Sequence, residues 1–151
     1  MKAGRVESIC NAGIQNNPEV FIMRFLSIYM CPERNTPPTA EEMATMGKMV
    51  EDWMKTGKLL ATEGCMPSSL GARVRIDDGK YSVSDGPFAE SKEVVGGFAI
   101  LDAPSKEVAV GYVKEFLEVM GKGWCELRQL YDANCTPQDL QQQKPEVVTA
   151  G

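Results

Sequence analysis

A chain of 151 residues, 43% apolar and 25% charged, suits one globular domain built around a single core. Its formal charge of −5, with acidic and basic residues interspersed, argues against nucleic acid or an anionic membrane as partner, because phosphate binding needs a concentrated basic surface. Histidine is absent, so Ser-His-Asp and Cys-His mechanisms are excluded, and any acid–base chemistry must rest on Asp, Glu, Lys, Tyr or Cys.

Residues 1–19 read as a weakly structured arm ending at Asn16-Asn17-Pro18. They lack the continuous apolar stretch of a secretory signal, and no apolar run approaches the roughly 20 residues of a membrane helix. Cys10, Cys31, Cys65, Cys125 and Cys135 contain no C-x-x-C pair and are odd in number. They are read as mostly buried, small apolar residues of a cytoplasmic protein, with no metal and no cofactor implied.

The folded body is expected over residues 20–131. Val20 to Met30 is apolar on both faces, as a strand covered on both sides would be, with Arg24 and Ser27 as exceptions. After a proline-rich loop, Thr39-Ala40-Glu41-Glu42 has the spacing of a capping box. Met43, Met46, Val50, Trp53 and Met54 then recur at helical spacing as a buried stripe, and Gly57 is placed to end the helix. Met43, Met46, Met49 and Met54 are read as core filling, since methionine fits irregular gaps.

Leu59 to Glu63 reads as a strand. Ala72 to Ile76 and Lys80 to Val83 flank Asp77-Asp78-Gly79 as a hairpin. Val94 to Leu101 is again apolar on both faces, and Gly96-Gly97 permits close backbone approach. Pro104-Ser105 opens a second helix whose apolar face is Val108, Ala109, Tyr112, Val113, Phe116, Leu117 and Met120, ending at Gly121. Trp124 to Leu130 is the last strand, and residues 132–151 form a polar tail.

The predicted order is β-α-β, hairpin, β-α-β: an α+β, ferredoxin-like fold with an inserted hairpin. Two helices cover one face of such a sheet. The doubly apolar strands therefore call for a second cover, and a homodimer with sheets facing is the economical answer.

Asp85-Gly86-Pro87-Phe88-Ala89-Glu90-Ser91-Lys92-Glu93, followed by Gly96-Gly97-Phe98, resembles the signature of the DGPF branch of the YCII-related family. Gly57-Lys58-Leu59-Leu60 with Glu63-Gly64, and Glu126 to Leu130, are similar too. The resemblance covers about residues 20–131. It implies a dimeric α+β barrel and a cleft near the inter-sheet face, where YciI-like relatives carry a His-Asp pair. Counting back from Gly57, the histidine's place falls at Met46, so that pair cannot operate here. Some relatives are similar to proteins encoded beside extracytoplasmic-function sigma factors, which implies regulation.

The resemblance implies that Asp85 is the retained acidic member, and Asp85 is the catalytic candidate. Asp85, Glu90 and Lys92 are close enough in sequence to surround one pocket, with Phe88 either packed in the core or presented at a cleft. The alternative is a shaped turn with a purely structural role. Arg24 in an apolar strand calls for an acidic partner, with Glu63, Asp85 and Glu126 as candidates. Arg73 and Arg75 share a strand face, either holding an anion or balanced by Asp77 and Asp78.

The candidate ligand-binding set is thus Arg24, Tyr29, Glu63, Asp85, Phe88, Glu90 and Lys92. It serves either a dimeric small-molecule binding or sensing module, or a weak acid–base enzyme using Asp85 or Glu63 with Tyr29 or Lys92.

Overall fold

A computed structural model describes residues 22–131. The arm, the tail, and Val20 and Phe21 of the expected first strand lie outside the described residues. Six strands and two α-helices follow in the order β1 (Met23–Cys31), α1 (Ala40–Lys55), β2 (Leu59–Gly64), β3 (Ala72–Asp77), β4 (Lys80–Asp85), β5 (Val94–Ala103), α2 (Lys106–Met120) and β6 (Trp124–Gln129), with a short 3₁₀ turn at Ser68–Leu70.

Local chemistry sets the element ends. The Thr39 hydroxyl accepts from the Glu42 N–H at 3.1 Å while the Glu42 carboxylate accepts from the Thr39 N–H at 2.7 Å, closing the capping box. The Ser105 hydroxyl caps α2 by accepting from the Val108 N–H at 3.2 Å, and Gly121 ends the helix at φ 69. The hairpin turn is Asp78-Gly79 with φ 45 and 75, flanked by the Asp77–Lys80 pair. Two positive φ values in a two-residue loop match the twist of the flanking strands, and Asp-Gly tolerates them at low cost.

The main sheet runs β2-β5-β1-β6 with every neighbouring pair antiparallel, and β3-β4 forms a separate two-stranded sheet. This is the ferredoxin-like arrangement expected from the element order. Phe25, Leu59, Leu101, Ala103 and Ala109 form the core, with Val50, Trp53, Val108, Tyr112 and Val113 packed against it. Phe25 and Leu101 are almost wholly buried, and each contributes about 1.5–3 kcal/mol by burial.

Alternation along β1 puts Phe25, Ser27 and Tyr29 toward the helices. The opposite face carries the cross-strand pairs Leu26–Ile100, Ile28–Phe98 and Met30–Val95. Phe98, Val95 and Trp124 on that face are exposed. Among the described residues, no helix is long and apolar enough to cross a membrane.

One expectation is corrected. The α1 stripe is not buried: no residue of α1 is fully buried, and Met43 and Met54 are 63% and 46% exposed. Val50 and Trp53 in the later half of α1 reach the core, whereas Met43, Met46 and Met49 border open space between the helix and the sheet.

Candidate functional site

That space is a cleft of about 660 Å³. Its floor is the helix-facing side of the sheet, from Ser27 and Tyr29 through Thr62 to Gly97 and Ala99. One wall is α1 and the other is α2 with Val113, Phe116 and Met120. Arg34, Glu41 and Glu42 also border it. Arg34 and Glu42 pair at 2.9 Å, and the bond to the Thr39 N–H, with Arg34 next, holds the Glu42 carboxyl below its usual range.

The floor is close-packed. A Cβ on Gly97 would stand 2.6 Å from the Glu63 carbonyl oxygen, and one on Gly96 would stand 2.8 Å from the Cys31 Sγ. Glycine at both positions lets β5 approach its neighbours, as expected from the Gly96-Gly97 pair. The Tyr29 ring meets Phe116 edge-on at 5.2 Å, and its hydroxyl donates to the Lys122 carbonyl at 2.9 Å. Burial, then the neighbouring Cys31 and Cys125 thiols, push the Tyr29 pKa up to about 12. Burial likewise raises Cys125, partly offset by a hydrogen bond from Ser27. At neutral pH the floor therefore carries a neutral phenol, with the Cys125 thiol behind Ser27 neutral as well.

The sequence-derived candidates do not converge on one place. Tyr29 and Glu63 border this cleft. Phe88 borders a second, smaller recess of about 450 Å³, with Met30, Cys65, Ser68, Arg73 and Val95. Asp85 ends β4 opposite Ala72, is exposed, and borders neither space. Glu90 pairs with Arg73 at 2.9 Å, and Lys92 is exposed beside it in sequence. Separation follows from topology, since the hairpin is hydrogen-bonded as its own sheet and holds Asp85 away from the helix-facing floor.

Arg24 also departs from expectation. It is exposed, donates to the Tyr131 carbonyl at 3.1 Å, and stands opposite Asp102 in the β1–β5 register. Glu63 and Glu126 align with the Ile28–Phe98 level instead, four residues along β1, or about 13 Å away. Arg73 is balanced by Glu90 rather than by Asp77 or Asp78.

The Asp85–Glu93 segment itself is a clamped turn. Glu33 accepts from the Ser68 N–H and hydroxyl at 2.5 and 2.8 Å, and the Ser68 hydroxyl accepts from the Phe88 N–H at 3.0 Å. The Gly86 N–H donates to the Gly71 carbonyl at 2.9 Å. Phe88 lies under the Arg73 guanidinium. Glu93 accepts from the Trp124 indole N–H, tying the end of the segment to β6.

What sequence reasoning missed is the use of Ser27, Met49 and Phe116 as cleft lining, whereas the resemblance already places Met46 there. Ser27 had left a signal as a polar interruption of an apolar strand, and it is the fully buried polar residue among those described. Met49 left none, because the same helical stripe serves a core or a cleft wall.

Residues 23–130 match the YCII-related domain. A curated relative, an uncharacterized protein of Rhizobium meliloti (strain 1021), is 30% identical over 73 residues. That alignment covers 48% of this chain and 59% of the relative, so the chain spans less than two thirds of the relative's length. The match to the YCII-related domain takes in every strand and helix described above, and the chain belongs to that family.

Proposed function

We propose that this protein is a small-molecule binding module that works as a homodimer, with its ligand in the cleft between α1, α2 and the sheet. The single observation behind this reading is the 660 Å³ cleft where α1 fails to close onto the sheet. Its volume lies within the range of small-molecule pockets, about 300–1,000 Å³, and its lining is mainly apolar with few polar groups. Met46, in the place where the resemblance puts a histidine, lines it, which favours holding a ligand over transferring its protons.

The dimer part rests on the exposed apolar side of the sheet, where Phe98, Val95 and Trp124 form a face that a second copy would cover. A link to sigma-factor regulation rests on the family resemblance, not on a feature of the cleft.

A thermal-shift screen of a metabolite library against the wild type and Met46→Trp tests the site. Ligands should raise the wild-type melting temperature and fail to raise that of the variant, whose indole fills the cleft. Equal shifts in both would place the ligand elsewhere and refute the reading.

A further inference from the structure

We infer that the ligand of this cleft is an uncharged, mainly apolar molecule with one hydrogen-bonding group, seated with that group against Ser27. The inference rests on the binding reading above and adds the chemistry of the ligand.

The walls decide the apolar body. Met43, Met46 and Met49 of α1 face Val113, Phe116 and Met120 of α2 across the cleft. Thioether side chains are flexible and polarizable, so they mould to a flat or branched hydrocarbon better than to one fixed shape.

The floor decides the polar group. Three hydroxyls border the cleft from the sheet: Ser27, Tyr29 and Thr62. Tyr29 donates to the Lys122 carbonyl and Thr62 to the Phe98 carbonyl at 2.8 Å. Ser27, only 6% exposed, interacts with the Cys125 thiol. A hydroxyl has one donor and two acceptor sites, and a thiol is a weak partner, so Ser27 retains capacity for a ligand hydroxyl or carbonyl.

Charge decides against ions. Burying an ionised group without a counter-ion is costly. The acidic and basic side chains that line the cleft are Arg34, Glu41, Glu42 and Glu63, and all are exposed. Arg34 and Glu42 satisfy each other. Tyr29 stays neutral, so the depth of the cleft has neither a cation for a carboxylate nor an anion for an ammonium.

Four probes sharing one ring system test this: naphthalene, 2-naphthol, 2-naphthoate and 2-naphthylmethylammonium, titrated at neutral pH by fluorescence and calorimetry into the full-length protein. Naphthol should bind tightest, with both ions weaker by about tenfold or more. Ser27→Ala should weaken naphthol by about threefold to tenfold and leave naphthalene unchanged. Ser27→Cys, nearly isosteric with a weak donor, should show the same selective loss, and circular dichroism checks that each variant is folded.

If an ionic probe binds as tightly as naphthol and Met46→Trp abolishes that binding, the cleft reading stands and the uncharged class is overturned. If no probe binds, or Met46→Trp leaves binding intact, the cleft reading itself fails. Equal losses for naphthalene and naphthol in both Ser27 variants would overturn the role given to Ser27.

Discussion

The Arg73 guanidinium lies 3.9 Å from the centroid of the Phe88 ring, and this contact joins the hairpin to the Asp85–Glu93 segment. Arg73 reaches further, to Glu90 at 2.9 Å and the Ser91 hydroxyl at 3.0 Å, so one side chain organises three positions of the segment. Its planar fork stacks and donates at once, which a lysine ammonium cannot reproduce.

Arg73→Ala should cost about 1–2 kcal/mol, combining a partly exposed cation–π contact with a weak surface ion pair. Arg73→Lys should recover less than half of that. Urea denaturation of Arg73→Ala, Phe88→Leu and the double variant checks the contact. A coupling energy near zero would show that Arg73 and Phe88 merely lie side by side.

Gly86 is held by space rather than by conformation. A Cβ there would stand 1.7 Å from the Ser68 carbonyl oxygen and 2.5 Å from its carbonyl carbon, both backbone atoms. Gly86→Ala should therefore cost about 3 kcal/mol or more, among the larger single-site losses. Gly79→Ala is the comparison: its φ is +75 but its surroundings are open, so only conformational strain of about 1–2 kcal/mol is expected. Melting curves that rank Gly79→Ala as the worse variant would contradict the packing.

Tyr29 predicts a pH response in the alkaline range. Its pKa rises from 10.0 to about 12 on folding, chiefly through burial. The unfolded chain therefore loses this proton first, and above pH 10 the native state holds more protons than the unfolded one. Stability attributable to Tyr29 is fully present below pH 10 and declines as pH rises toward 12. Tyr29→Phe should lose this part of the slope, along with about 1 kcal/mol for the bond to Lys122. Denaturation midpoints across pH 8 to 12 measure it, and an unchanged slope in the variant would show that another group titrates.

The proposed dimer makes Ile28→Asp informative, because Ile28 sits beside Phe98 on the face away from the helices. A charge there would be buried unpaired in a sheet-to-sheet contact. Sedimentation should show the wild type at twice the chain mass and the variant at one. A wild-type mass of one chain at micromolar concentration would refute the dimer. Val110→Asp, at an exposed site on α2, should leave the mass unchanged.

Whatever depended on neighbours in sequence was legible from the residues. Thr39 and Glu42 lie within one helical turn and close their own capping box, and Asp78-Gly79 needs only its own φ angles to make the hairpin turn. Apolar periodicity separated strands from helices, and the resulting order named the ferredoxin-like fold, while the Asp85–Glu93 segment with Gly96-Gly97-Phe98 carried the resemblance to the family. Tertiary structure alone decided how distant pieces met. Strand register put Arg24 opposite Asp102 rather than beside Glu63 or Glu126, and the hairpin's forming its own sheet held Asp85 away from the cleft that Tyr29 borders. The methionine stripe of α1 became a cleft wall instead of a core because only the later half of the helix packs down. Side-chain periodicity states which face of a helix is apolar, but not how far that face stands from the sheet. That distance is a sum over nonlocal contacts, and here it leaves a cleft open above Ser27.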